Sequence, residues 1–120
     1  MDKNIFGEPL KSCCKTPLTG YFRDGYCKTH KSDYGSHTVC VEITNEFLIF
    51  SKSRGNDLIT PNPIYNFPGL KAGDKWCLCA LRWQEAFEYG CAPKVELEAT
   101  DEKALKHIKI KDLIMHAIKK

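Results

Sequence analysis

Apolar and polar residues alternate most regularly over His37–Thr44 (HTVCVEIT). Its β-branched residues predict a strand with Val39, Val41 and Ile43 on one face and Cys40, Glu42 and Thr44 on the other. The period then lengthens. Thr44 or Asn45 is placed to cap a helix reaching about Arg54, with Glu46 in its first turn, Gly55 beyond its end, and Phe47, Leu48 and Phe50 turned toward the sheet. Gly73–Gly90 (GDKWCLCALRWQEAFEYG) carries both signals in one stretch and is the organising centre of the chain. It reads as a turn at Gly73–Asp74, a short strand Lys75–Leu78, and a helix from Cys79 to Tyr89 ended by Gly90. On that helix Cys79, Ala80, Trp83, Ala86 and Phe87 form one apolar stripe, opposed by Arg82, Gln84, Glu85 and Glu88. Alternation returns in Val95–Thr100 (VELEAT), a second such strand, and Leu105–Ile108 is a candidate for a third after a turn at Asp101–Lys103. Ile110, Leu113, Ile114, Ala117 and Ile118 then predict a terminal amphipathic helix.

The remaining stretches are punctuated by turn formers. Asn4–Leu10 reads as a short extended segment held by its aromatic ring, Thr16–Gly20 as a turn cluster, and Tyr21–Lys28 as a small hairpin about Asp24–Gly25. Thr29–Ser36 is a polar loop. Asn56–Asp74 is a long connection in which Pro61, Pro63 and Pro68 forbid a regular helix and argue against a central strand. Its apolar residues Leu58, Ile64, Tyr65, Phe67 and Leu70 predict an ordered lid that packs on the surface. Strands and helices mix without a βαβ repeat. The expected fold is therefore α+β: one domain over residues 1–120, a two-layer sandwich of a small, mainly antiparallel sheet packed by about three helices.

Composition narrows the classes of function. The chain has 42% apolar and 28% charged residues, which suits a globular protein and excludes a largely disordered one. The longest apolar run, Phe47–Phe50, falls far short of the ~18–20 residues that span a bilayer, so no membrane partner is expected. Asp2, Lys3, Glu8 and Pro9 stand where a signal peptide would be apolar, and a cytoplasmic location is expected. In that setting seven cysteines suggest reduced thiols, metal ligation or catalysis rather than a disulfide framework. The net charge is +3, and the lysines of Lys103–Lys120 lack interleaved exposed aromatics. A nucleic-acid partner is not expected.

Ser36–Cys40 (SHTVC), Gly55–Leu58 (GNDL), Phe67–Leu70 (FPGL) and Gly73–Ala80 (GDKWCLCA) together resemble the bacterial domain-of-unknown-function family numbered 2237. Asn4–Leu10 (NIFGEPL), Pro17–Gly25 (PLTGYFRDG), Glu46–Ser51 (EFLIFS), Arg82–Trp83 and Pro93–Thr100 extend the likeness over Asn4–Ala117. The resemblance implies a small α+β domain with no particular activity. Cys13, Cys27, Cys40, Cys77 and Cys79 fit the family pattern, whereas Cys14 and Cys91 are incidental to it. One departure is Thr100–Asp101–Glu102, where the resemblance leads to the expectation of Thr-His-Glu. If that histidine were a ligand or base, Asp101 would have to do its work.

Candidate chemistry centres on these thiols. On a strand Cys77 and Cys79 would face the same way, whereas Cys79 at a helix start would have its thiolate favoured by unpaired N–H groups and the helix dipole. Its place on the apolar stripe favours simple burial. The five cysteines come from four segments that a fold can bring together, so zinc is compatible with the sequence although no cofactor is required by it. His37 is either a structural hydrogen-bonding residue or the base that activates Cys77 or Cys79; His30, His107 and His116 are given no role. Asn56 and Asp57 suit turn chemistry, and with Arg23, Asp24 and Arg82 they are the alternative candidates for a polar pocket under the long loop. Arg82 on the polar helix face also suits a surface ion pair, and Trp76 and Trp83 suit the core.

Two function classes follow. The first is a small cytosolic binding or regulatory module that holds a small ligand or protein partner under loop 56–74. The alternative is a thiol- or metal-dependent enzyme using Cys77, Cys79 and Cys40 with His37. A purely structural accessory protein would show neither pocket nor reactive thiol.

Overall fold

A computed structural model of the chain describes residues 2–15, 18–33, 35–65 and 67–118, with the side chain of Tyr65 left out. The alternating stretch forms β1 (Val39–Glu42), which lies between β2 (Lys75–Leu78) and β3 (Lys94–Val95) in a three-stranded antiparallel sheet of order β2-β1-β3. Val39 stands opposite Leu78, Cys40 opposite Cys77, and Val41 opposite Trp76. Because side chains alternate across a strand, this register sorts residues onto two faces. Val39, Val41, Ile43, Trp76, Leu78 and Val95 enter the main apolar core, whereas Cys40 and Cys77 enter a second, smaller cluster.

Three α-helices add to the main core, and Ile5, Leu58, Leu70, Cys91, Ala104 and Ile108 complete it from connecting segments. In α1 (Asn45–Ser53) the Thr44 hydroxyl accepts the Phe47 N–H at 3.1 Å, satisfying one donor that the first turn leaves open, and Phe47 and Leu48 are buried. In α2 (Ala80–Glu88) Ala80, Trp83 and Ala86 form the buried stripe. The Trp83 indole donates to Pro93 O at 3.1 Å, so its one polar atom is satisfied inside the core. The short α3 (Ile110–Met115) buries Leu113. The fold is thus α+β, with a small antiparallel sheet and three helices among the described residues. None of these helices is long and apolar enough to cross a membrane.

Several local expectations change for physical reasons. The strand predicted over Val95–Thr100 ends at Val95. Glu96 N still donates to Cys40 O, but the Thr100 hydroxyl donates to Glu96 O at 2.9 Å and accepts the Cys40 N–H, closing a 3-10 turn at Leu97–Ala99. Leu105 and Lys106 belong to a 3-10 helix, Glu102–Lys106, because Asp101 accepts the Lys103 N–H at 2.9 Å and starts a turn. The terminal helix stops at Met115; Val95 N and O then bond His116 O and Ile118 N, so the chain runs out alongside β3. The expected hairpin over Tyr21–Lys28 is a compact turn instead. Gly25 N bonds Thr19 O, Tyr26 N bonds the Asp24 carboxylate, and no paired strands flank the turn. His116, given no role above, packs edge-on against Trp83.

The long connection is ordered. Leu70 N donates to Leu58 O, Asn62 and Phe67 exchange two backbone hydrogen bonds, and both Leu58 and Leu70 are buried. Phe67 packs against Trp76 at 5.3 Å between ring centroids. Ile64 departs from expectation, being 87% exposed. The Tyr65 side chain, and Thr16 and Pro17 of the expected turn cluster, lie outside the described residues.

The cysteines correct the expectation of reduced thiols. Cys13 is joined to Cys40 and Cys27 to Cys77, with Cα separations of 5.7 and 5.1 Å. Cys14, Cys79 and Cys91 lie outside these disulfides.

Candidate functional site

A cleft of about 450 Å³ opens between the long loop and the sheet, lined by Asp57, Leu58, Thr60, Pro61, Asn62, Pro63 and Phe67 from the loop, with Arg23 and Trp76 opposite. A second hollow of about 260 Å³ shares Leu58 and Trp76 with the first and carries His37, Asn56, Leu78, Cys79 and Arg82. The two hollows therefore adjoin across Leu58 and Trp76, and together they are called the groove below.

At the first end the Arg23 guanidinium stands 5.1 Å from the Trp76 ring centroid and donates to Leu18 O at 3.3 Å. Arg23 has a φ of 55°, an uncommon conformation for a residue with a β-carbon. Asp57 turns its carboxylate onto the loop itself, accepting from the Thr60 hydroxyl at 2.7 Å and from the Ile59 and Thr60 amides. Those bonds hold its carboxyl below the usual value. Turn chemistry thus accounts for Asp57, and the turn builds one wall of the cleft.

At the second end the segment before β1 folds over the start of α2. Ala80 N donates to Ser36 O at 2.7 Å, and Ser36 takes a φ of 57° to present that carbonyl. Asp33 is buried. Its Oδ2 accepts the His37 N–H at 2.8 Å and the Thr29 hydroxyl at 3.0 Å, and its Oδ1 bonds His37 Nδ1 at 2.7 Å. Burial pushes the Asp33 carboxyl up, but these bonds outweigh it and hold it below the ordinary range. With Nδ1 committed to Asp33, Nε2 is the ring nitrogen left to act in the groove.

Cys79 immediately precedes α2, and its thiol donates to Gly35 O at 2.7 Å rather than capping the helix. Burial raises its pKa, against the pull of the Arg82 and Leu81 amides, so the resting group is a thiol. A Cβ on Gly35 would stand 2.5 Å from Cys79 Sγ and 3.9 Å from His37 Cε1. The thiol and the imidazole edge thus flank the same glycine, with no room for a side chain between them.

The structure therefore brings Arg23 and Asp57 to the first hollow, and Asn56, His37, Cys79 and Arg82 to the adjoining one. It leaves Asp24 outside, ion-paired to Lys28 at 2.6 Å beside a separate depression. Arg82 bonds Arg54 O at 3.1 Å and Glu85 at 3.4 Å, so it is also the surface ion pair foreseen for it. Cys77 and Cys40 point away from the groove into the disulfide cluster, because Cys79 leaves the strand with φ −56° and ψ 126° and no longer shares the face of Cys77. Asp101 caps the 3-10 turn and is not in the groove. Asp33, which holds His37 while itself lining a separate hollow, was not singled out by the sequence, and Trp76 was read there as core rather than as a site residue. The spacing Asp33-x-x-x-His37 was the available signal for the first, since an aspartate can bond backbone and ring a turn later.

The profile of DUF2237, described as "uncharacterized protein conserved in bacteria", matches residues 3–117. The chain belongs to this family. No curated protein matches it. Membership in DUF2237 assigns no ligand, so the groove must be judged on its own chemistry.

Proposed function

We propose that the chain is a binding module that holds a small ligand in the groove beneath residues 56–74. The observation that carries this reading is the 450 Å³ cleft between Trp76 and the ordered loop, a size and mixed polarity suited to a small molecule. Trp76, Phe67 and the prolines offer a flat apolar wall and Arg23 offers a cation, so a planar molecule bearing a carboxylate fits best. Strain at Arg23 and at Ser36 supports the same reading. They are the two non-glycine residues with positive φ among those described; Arg23 lines the cleft, and Ser36 directly precedes His37 while lining a separate hollow. A cytoplasmic setting belongs to the proposal as well.

The test is thermal-shift screening with small aromatic carboxylates such as benzoate and indole-3-acetate. Saturable stabilisation that is lost in Arg23→Ala supports the reading. Stabilisation indifferent to Arg23→Ala, or none across the series, contradicts it.

A second reading is favoured by the buried Asp33 that fixes His37: thiol chemistry on the bound ligand. In it the Cys79 S–H proton passes to His37 Nε2 as sulfur adds to a carbonyl carbon of the ligand, the C=O π pair moving to oxygen, which then takes that proton back from the imidazolium. Iodoacetamide labelling of Cys79, followed by mass spectrometry near neutral pH, distinguishes it from binding alone. His37→Ala slows labelling by a factor on the order of 10 if the imidazole assists, whereas equal rates leave binding only.

A further inference from the structure

The N-terminal third of the chain has little to hold it in place. Among the described residues of 10–36 there is no helix or named strand, and the buried apolar side chains are Cys13 and Cys27. Leu18, Tyr21 and Phe22 are exposed, and Leu10 and Tyr26 are half-buried. The segment is fixed to the sheet through its two cysteines, through the Thr19 hydroxyl, which accepts the Cys77 N–H at 2.7 Å, and through a few backbone bonds. A segment without a core of its own needs a covalent or metal staple.

That staple has an unusual layout. Cys40 and Cys77 are directly opposed on β1 and β2 and share the face away from the main core, while Cys13 and Cys27 approach from the loop segment. The Sγ atoms of Cys13, Cys27 and Cys77 all lie within 4.8 Å of one another, and Cys40 is bonded to Cys13. Two independent disulfides have no need to converge. Three sulfurs so close, with that of Cys40 one disulfide bond from the group, approach the layout of a tetrahedral thiolate site, where zinc–sulfur bonds of about 2.3 Å set sulfur–sulfur edges of about 3.8 Å. Ala99 packs beside them. The Thr19 hydroxyl, buried next to Cys77, has its own proton left to offer a thiolate. Cys79 is not part of this group, since its thiol is on Gly35 O at the groove.

We propose that in the reduced chain Cys13, Cys27, Cys40 and Cys77 bind one zinc ion as four thiolates. The metal and the two disulfides are then alternative staples for the same segment. Each disulfide takes two electrons and two protons from a dithiol reductant, giving four thiols, and zinc displaces the four thiol protons. The site is independent of the groove and its ligand. It also reconciles the fold with a reducing compartment, in which disulfides are rarely kept.

The experiment uses the whole chain, purified anaerobically with a dithiol present, given zinc sulfate and then freed of unbound metal. The expected result is one zinc per chain by elemental analysis. Cys13, Cys27, Cys40 and Cys77 should resist iodoacetamide until a chelator removes the metal, and cobalt(II) in place of zinc should give thiolate-to-metal charge-transfer absorption. A reduced chain that unfolds without zinc and refolds with it supports the proposal equally. A reduced chain that stays folded and takes up no zinc overturns it, as does one that zinc cannot refold. Cys40→Ser keeps the other three thiols. Undiminished zinc affinity in that variant would overturn the assignment of four ligands.

Discussion

Asp101 is buried, its Oδ1 accepting the Lys103 N–H while Oδ2 has no hydrogen-bond partner among the described residues. Burial pushes its carboxyl above the ordinary value, against the lowering effect of the Lys103 amide. A raised folded-state pKa means that the native state binds the proton more tightly than the unfolded chain. The group therefore adds stability at low pH, and that contribution is lost as pH rises through the folded pKa. Asp101→Asn keeps the Lys103 bond and removes the charge, so it should stabilise the protein by on the order of 1 kcal/mol at neutral pH. Urea unfolding across pH checks this, with the difference from wild type shrinking as Asp101 protonates. Asp33 has the opposite sign. Its pKa is lowered, so its contribution is present above the ordinary carboxyl range and lost as pH falls through the folded pKa. Gly35→Ala places a methyl 2.5 Å from Cys79 Sγ, and the displacement should cost about 1–3 kcal/mol in the same measurement.

Among the elements, β1 was the most legible in the sequence, because alternation and β-branching agree over Val39–Glu42 and the two faces emerge as the sequence implies. The α2 stripe was legible for the same reason, its period matching the buried Ala80, Trp83 and Ala86. What escaped were the places where one side chain rewrites local geometry. Thr100 converts an alternating stretch into a 3-10 turn through bonds to Glu96 O and Cys40 N. Cys79 turns off the strand, so the apparent Cys77-x-Cys79 pair is divided between a disulfide and a groove. No spacing rule foretells the partners Cys40 of Thr100 and Gly35 of Cys79, since they lie far away along the chain. The sequence offered Thr44 or Asn45 as the cap of α1 and Thr44 fills it, so Thr44→Ala should cost about 1 kcal/mol, seen as a lower urea midpoint with an unchanged slope.

The whole molecule is built from two unlike halves on one small sheet. Helices and apolar strand residues make an ordinary core on one face; on the other, a segment without regular structure is held by sulfur. The Cys27–Cys77 link spans 50 residues, and under oxidising conditions Cys27→Ser with Cys77→Ser should lower stability by about 4 kcal/mol on the chain-entropy account. Differential unfolding in urea would show it, with a loss near zero meaning that the segment is held by other contacts. The groove joins the halves. Arg23 comes from the stapled segment, Trp76 from the sheet, and Asp57, Asn62 and Phe67 from the long loop. That junction, which no single motif announces, is where ligand recognition is assigned.

The most direct measurement of that claim is a fragment screen read by amide and indole NMR signals of the isotope-labelled chain. The account predicts that hits bearing a planar ring and a carboxylate shift Arg23, Asn62, Phe67 and the Trp76 indole in a saturable way, leaving the buried Trp83 indole in place. Hits that map to other faces while those signals stay fixed would contradict it.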